Sequence, residues 1–341
     1  MNDRTRVFLA VGLTVLLFLG VQLGALALIE PFHESERQAV ENPDDPTNSI
    51  IYFGIILVAT ALMLAAFKYD LQWLIRALIV GVSVMLAWFV FSEFVPSVLT
   101  VGGVNAAAAL AAAGVGAALL WYPEWYVIDG TGVLMGAGAA ALFGISFGLL
   151  PAILLLGVLA VYDAISVYGT EHMLDLAEGV MDLKIPVVLV VPTTLSYSYL
   201  APNSGADTLE DETATDGDGQ SDPNANADSA SNATETDDEQ DGSLDRDALF
   251  IGLGDAVIPT ILVVSAAFFL EAGTLSVPIL TVNLPALGAL LGTIAGLIVL
   301  MYMVLEGRAH AGLPLLNGGA IGGYLLGAVA SGLSVVSALG L

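Results

Sequence analysis

The chain has 341 residues, 57% of them hydrophobic and only 12% charged, with a mean hydropathy of +0.84, which excludes a soluble globular protein and points to an integral membrane protein. The formal net charge of -26 is concentrated, since fifteen of the 34 acids fall within 201–247 beside a single base, Arg246; eight Lys and Arg in all cannot build a nucleic-acid surface. The absence of cysteine removes disulfides, thiolate metal sites and cysteine nucleophiles together.

Apolar stretches at 7–29, 50–67, 71–91, 97–121, 131–149, 151–168, 248–270, 277–303 and 313–341 predict nine transmembrane helices in an all-α polytopic fold. The first follows Arg4 and Arg6, but it is longer than a signal core and lacks a small-residue cleavage site, so it reads as a retained span. With the amino terminus cytoplasmic, Arg4, Arg6, Lys68, Lys184, Arg246 and Arg308 all fall inside, Arg76 lies near an inner helix end, and only Arg37 is external. Nine spans then place the carboxyl terminus outside. The expected organisation is 1–170 with helices 1 to 6, a cytoplasmic loop over 171–247, and 248–341 with helices 7 to 9.

That loop is expected to have three parts. Residues 171–184 set apolar side chains among acids and predict an interfacial amphipathic helix. Residues 185–191 (IPVVLVV) are β-branched, too short to span, and predict a strand. Residues 203–245 carry no aromatic side chain and are expected to be disordered.

Polar groups inside spans are the functional candidates. Arg76 is expected to snorkel, and Glu93, Glu271, Glu306 and Asp129 to meet water at or near helix ends. Asn105 and Asn317 are candidates for interhelical hydrogen bonding. Asp163 (VLAVYDAISVYG) and Asp255 (LFIGLGDAVIPTIL) are different, because each sits in apolar sequence with no Lys or Arg within four positions. They can face each other, act singly in an ion pathway, or stay buried and neutral. Facing each other, two carboxyl groups cannot both ionise cheaply and would share a proton, a state suited to general acid/base hydrolysis. Gly252 and Gly254 would let another backbone approach Asp255.

Tyr162-Asp163 and, one helix later, Gly252-Leu253-Gly254-Asp255 resemble the YD and GxGD motifs of the presenilin and signal peptide peptidase family of intramembrane aspartyl proteases. The resemblance extends to the nine-span layout, the inward amino terminus and the loop between helices 6 and 7. It implies an endopeptidase of the cell membrane that cuts transmembrane helices of other proteins, with Asp163 and Asp255 catalytic, Tyr162, Gly252, Leu253 and Gly254 in support, and no cofactor or metal. The acidic composition suits an archaeal, halophilic homologue. The family's Pro-Ala-Leu motif has an imperfect counterpart in Ala311-Gly312-Leu313-Pro314, where Gly312, Leu313 and Pro314 are expected to position substrate; a literal Pro285-Ala286-Leu287 is expected to be coincidental. Gly318, Gly319, Gly322 and Gly323 predict close packing of the last helix.

Other chemistries lack parts. Gly144-Ile145-Ser146-Phe147-Gly148 matches G-x-S-x-G without a strand before it or a placed histidine, His33, His172 and His310 lie in loops or at helix ends, and no H-E-x-x-H occurs. A proton- or cation-coupled transporter or channel using the same two aspartates is the alternative, weakened by the absence of intramembrane Lys or His relays.

Overall fold

The computed structural model describes residues 3–69, 71–97, 100–169, 186–193, 198, 248–305 and 311–341. The amphipathic helix expected over 171–184 and the acidic stretch 203–245 lie outside these residues. In chain order the elements are α1 (Asp3–Ala27), α2 (Ile29–Glu34), α3 (Thr47–Lys68), α4 (Gln72–Phe94), β1 (Thr100–Val101), β2 (Val104–Asn105), α5 (Ala106–Trp121), α6 (Trp125–Ser146) and α7 (Leu149–Gly169). They continue as β3 (Val188–Pro192), β4 (Ala248–Gly252), α8 (Leu253–Phe269), β5 (Thr274–Val277), β6 (Leu280–Asn283), α9 (Leu284–Leu305), α10 (Gly312–Ala330) and α11 (Val335–Ala338).

Among the described residues seven helices, α1, α3, α4, α6, α7, α9 and α10, are long and apolar enough to cross a bilayer, and their outer faces carry exposed Phe8, Ile55, Leu62, Trp73 and Leu326 where lipid would lie. The protein is a multi-pass integral membrane protein. Helices α5 and α8 are shorter, at 16 and 17 residues. At about 1.5 Å per residue each reaches roughly 25 Å, short of a hydrocarbon core of about 30 Å. For α8 the deficit is small in consequence, because it runs through the centre of the bundle and packs on α1, α6, α7, α9 and α10 instead of lipid.

Three expected helices begin later than their apolar stretches. The 97–121 stretch opens with the β1–β2 hairpin, and Asn105 caps α5: its Oδ1 accepts from the Ala108 N–H and its Nδ2 donates to the Val95 carbonyl. Asn105 thus caps α5 and also ties its start to Val95 at the end of α4. The 277–303 stretch opens in the antiparallel β5–β6 pair, and buried Asn283 marks the change to helix by accepting from Ala286 N–H while donating to the Ala266 and Leu270 carbonyls. The 248–270 stretch opens in β4, which pairs antiparallel with β3. Leu249, Phe250 and Ile251 suit a strand as well as a helix, and pairing across the intervening loop decides for the strand.

Helices α9 and α10 form the closest contact in the bundle. A methyl built on Gly292 would overlap the Gly319 carbonyl, one on Gly288 the Gly323 carbonyl, and one on Gly327 the Leu284 carbonyl. Their backbones therefore touch, which only hydrogen at these positions allows. Gly319 and Gly323 do what the sequence predicts; Gly318 and Gly322 point away, with nothing within 4 Å. Asn317 is fully buried and donates from Nδ2 to the Leu156 carbonyl, the expected bridge, here between α10 and α7. At the end of the bundle away from β3 and β4, Arg37 pairs with Glu93 at 2.8 Å and lies over the Phe32 and Phe89 rings.

Candidate active site

Three chain segments converge at one end of the bundle. The last turns of α7 bring Tyr162 and Asp163, the β4–α8 junction brings Gly252 to Asp255, and the start of α10 brings Gly312 to Pro314. Asp163 and Asp255 are both half-buried, and Asp255 lies within the electrostatic reach of the Asp163 carboxylate. Between them runs the first turn of α10. The Leu313 N–H donates to Asp163 Oδ2 at 3.0 Å, while a methyl built on Gly312 would lie 3.2 Å from Asp255 Oδ2. Adjacent residues of one helix start thus touch both acids.

The helix expected over 248–270 would put Asp255 about two turns in from its start. Because β4 occupies 248–252, Asp255 is only the third residue of α8. What brings the acids together is the strand, which delivers the α8 start to the height of Asp163. Gly252 keeps an extended backbone (φ -59°, ψ 130°) at the change from strand to helix.

The supporting residues divide. Leu253 is buried against the bare face of α6, with its Cδ1 3.1 Å from the place of a Gly136 methyl and 3.8 Å from that of Gly132. Tyr162 packs edge-to-face on Phe53 of α3, with ring centroids 5.9 Å apart. Gly252 and Gly254 are exposed, and among the described residues no other backbone comes within 4 Å of a methyl built on either. The close approach expected there is therefore not made by the protein itself. Tyr168 accepts from the Ala311 N–H at 3.4 Å. Pro314 borders a groove between α7 and α10 together with Ala160, Ala164 and Asn317. Pro285-Ala286-Leu287 starts α9 beside Gly327, at the far end of α10 from the acids.

Strand β3 has the predicted conformation, but its edges are not equivalent. The Leu253 N–H donates to the Val187 carbonyl, which makes Val188 and Gly252 a non-hydrogen-bonded pair and, by alternation, Val190 and Phe250 another. The Val190 N–H therefore points away from β4, and Asp129 Oδ1 accepts it at 2.7 Å. Pro192, two residues on, has no N–H to offer. On this edge, which faces α6, the Val190 N–H is thus taken by Asp129 and cannot pair with an incoming strand. Asp129 itself is corrected, being 3% exposed where a watery helix end was expected. Its partner lies 61 residues away, so nothing local announced it.

The family model for signal-peptide peptidase, presenilin aspartyl protease matches residues 15–333. The chain belongs to this family. Two crystal forms of a presenilin family intramembrane aspartate protease share its fold at 30% identity. One gives a TM-score of 0.60 with 94% of this chain and 99% of that one covered, the other 0.57 with 93% and 96%. No curated protein matches the chain. Family membership makes the protein an intramembrane aspartyl protease whose substrates are transmembrane helices in a lipid bilayer, and it disfavours the transporter reading.

Proposed function

We propose that Asp163 and Asp255 are the catalytic pair of this protease. The observation that carries the reading is the Gly312–Leu313 turn, which contacts one carboxyl group with a backbone N–H and the other with a side chain reduced to hydrogen. With one proton shared, the ionised carboxyl takes a proton from water as its oxygen attacks the peptide carbonyl. The protonated carboxyl gives its proton to the carbonyl oxygen, forming a tetrahedral diol. Collapse returns a proton from a diol hydroxyl to the pair and delivers one to the departing amine, so the two acids end as they began and need neither metal nor covalent intermediate.

A helical peptide bond is shielded by its own hydrogen bonds, so substrate unwinds before hydrolysis. With the Val190 N–H on the outer edge of β3 taken by Asp129, the β4 side is the place for an unwound stretch to add as a strand. Gly252 supports this, since its backbone groups point away from β3 and it is exposed one turn from Asp255. Leu313 and Pro314 then border the substrate on the opposite side.

The same reading takes α5 and α8 as spans, giving nine, with the amino terminus and the catalytic end cytoplasmic and the carboxyl terminus outside the cell membrane. The test is to reconstitute the purified protein in lipid vesicles with a labelled single-helix substrate and map the products by mass spectrometry. Cuts inside the apolar stretch, near its cytoplasmic end, are expected; cuts only in soluble flanking sequence would overturn the reading.

A further inference from the structure

Asp129 is a buried acid that the two-aspartate chemistry does not use. Its Oδ1 holds the Val190 N–H, and its Oδ2 is buried with no partner among the described residues. Burial of a carboxyl group is costly, and packing alone would favour an apolar side chain here. Asp129, Gly132 and Gly136 follow one another at helical spacing on the face of α6 turned to the site. Asp129 grips β3, a methyl on Gly132 would come 3.0 Å from the Leu189 side chain, and Gly136 makes room for Leu253 of the GxGD motif. β3 is tied in turn to β4 by the antiparallel ladder from Val188–Gly252 to Pro192–Ala248, and β4 runs without interruption into Asp255.

We propose that Asp129 is a positioning residue for proteolysis: by holding the Val190 N–H it clamps the β3–β4 sheet to α6 and so fixes the register at which the substrate stretch meets Asp255. The proposal rests on the reading of Asp163 and Asp255 as the catalytic pair and of β4 as the strand that receives substrate. Asp129 touches neither substrate nor the reacting atoms; it acts through the sheet. A sheet released from the clamp can shift along α6, so the scissile bond is presented less often and at more than one position. The loss falls on turnover and on the choice of bond more than on binding.

Three variants test this in vesicles, with cleavage rate, KM and product masses measured beside thermal unfolding. Asp129→Asn keeps an acceptor oxygen and is expected to cleave at the original bonds within about threefold of the original rate. Asp129→Leu is expected to lower kcat roughly ten- to a hundredfold with KM nearly unchanged, and to spread the cuts over neighbouring bonds. Val190→Pro deletes the clamped N–H, which the β3–β4 ladder does not use, while exchanging one apolar side chain for another, and is expected to spread the cuts in the same way; it decides the matter if Asp129→Leu does not fold. Original rate and original bonds in folded Asp129→Leu or Val190→Pro would overturn the proposal, as would equal impairment of Asp129→Asn and Asp129→Leu. The unsubstituted protein and Asp255→Asn run alongside: absence of Asp255-dependent cleavage would defeat the reading of the pair, whereas normal cleavage with unaltered clamp variants defeats the clamp alone.

Discussion

The Leu313 backbone N–H donates to Asp163 Oδ2 across 150 residues of sequence. Leu313 is the second residue of α10, so its N–H is one of those a helix start leaves without an internal partner, and the helix dipole adds positive potential there. The helix start therefore holds the Asp163 carboxyl in place with a backbone donor that, at this position, only proline would remove. Substitutions that move the turn are the way to test its part in the site.

On the proposed reading of 311–314 as the counterpart of Pro-Ala-Leu, Ala311 and Gly312 replace its proline and alanine. Ala311 already has φ -66° and ψ 121°, a conformation proline shares, and among the described residues its N–H makes only the long bond to Tyr168. Ala311→Pro is expected to keep activity and to raise stability by about 0.4–1 kcal/mol through a stiffer unfolded chain. At Gly312 a methyl meets Asp255 Oδ2 at 3.2 Å and Leu300 Cδ2 at 3.4 Å, so alanine fits only if these neighbours yield by a few tenths of an ångström. Gly312→Ala is expected to retain cleavage, and Gly312→Val, whose branches must enter the space of the Asp255 carboxyl, to lose it without unfolding. Rates and unfolding curves for the three variants check this together.

The glycine contacts of α9 and α10 set the height of that turn. Gly292→Ala forces the helices apart at the Gly319 carbonyl, and a cost of about 1–3 kcal/mol is expected, with a fall in cleavage as Gly312 shifts from Asp255. Gly322→Ala meets nothing within 4 Å and is expected to change stability by no more than about 1 kcal/mol, in the favourable direction. Comparing the two by thermal unfolding in detergent separates packing at the contact from helix propensity.

Cleavage should rise and fall with pH. On the acid side the carboxyl that accepts a proton from water is already protonated; on the alkaline side the pair has lost the proton it gives to the carbonyl oxygen. The two limbs report macroscopic constants of the pair and cannot be assigned to Asp163 or Asp255 singly. A rate independent of pH across the acid to neutral range would contradict general acid/base catalysis by this pair.

Much of this site was legible because its signals are local. An aspartate in apolar sequence is costly wherever the chain folds, so Asp163 and Asp255 stand out without any knowledge of partners, and Asn317 follows from the same cost. Asp129 carried the same signal, but its place near a helix start suggested water, and only the fold shows that β3 covers it. The start of α8 was misplaced because 248–252 is apolar enough for either helix or strand until β3 claims it. The doublets Gly318-Gly319 and Gly322-Gly323 put glycine on two faces of one helix, and the position of α9 selects Gly319 and Gly323.

The most direct measurement is cleavage of a single-helix substrate by Asp163→Asn, Asp255→Asn and the double variant in the same vesicles. Asparagine keeps shape and hydrogen bonding but cannot share the proton. Each single change is expected to abolish cleavage with unfolding unchanged, and the double change to add nothing, as for groups that act as one unit. Substantial cleavage by folded Asp255→Asn would contradict the account.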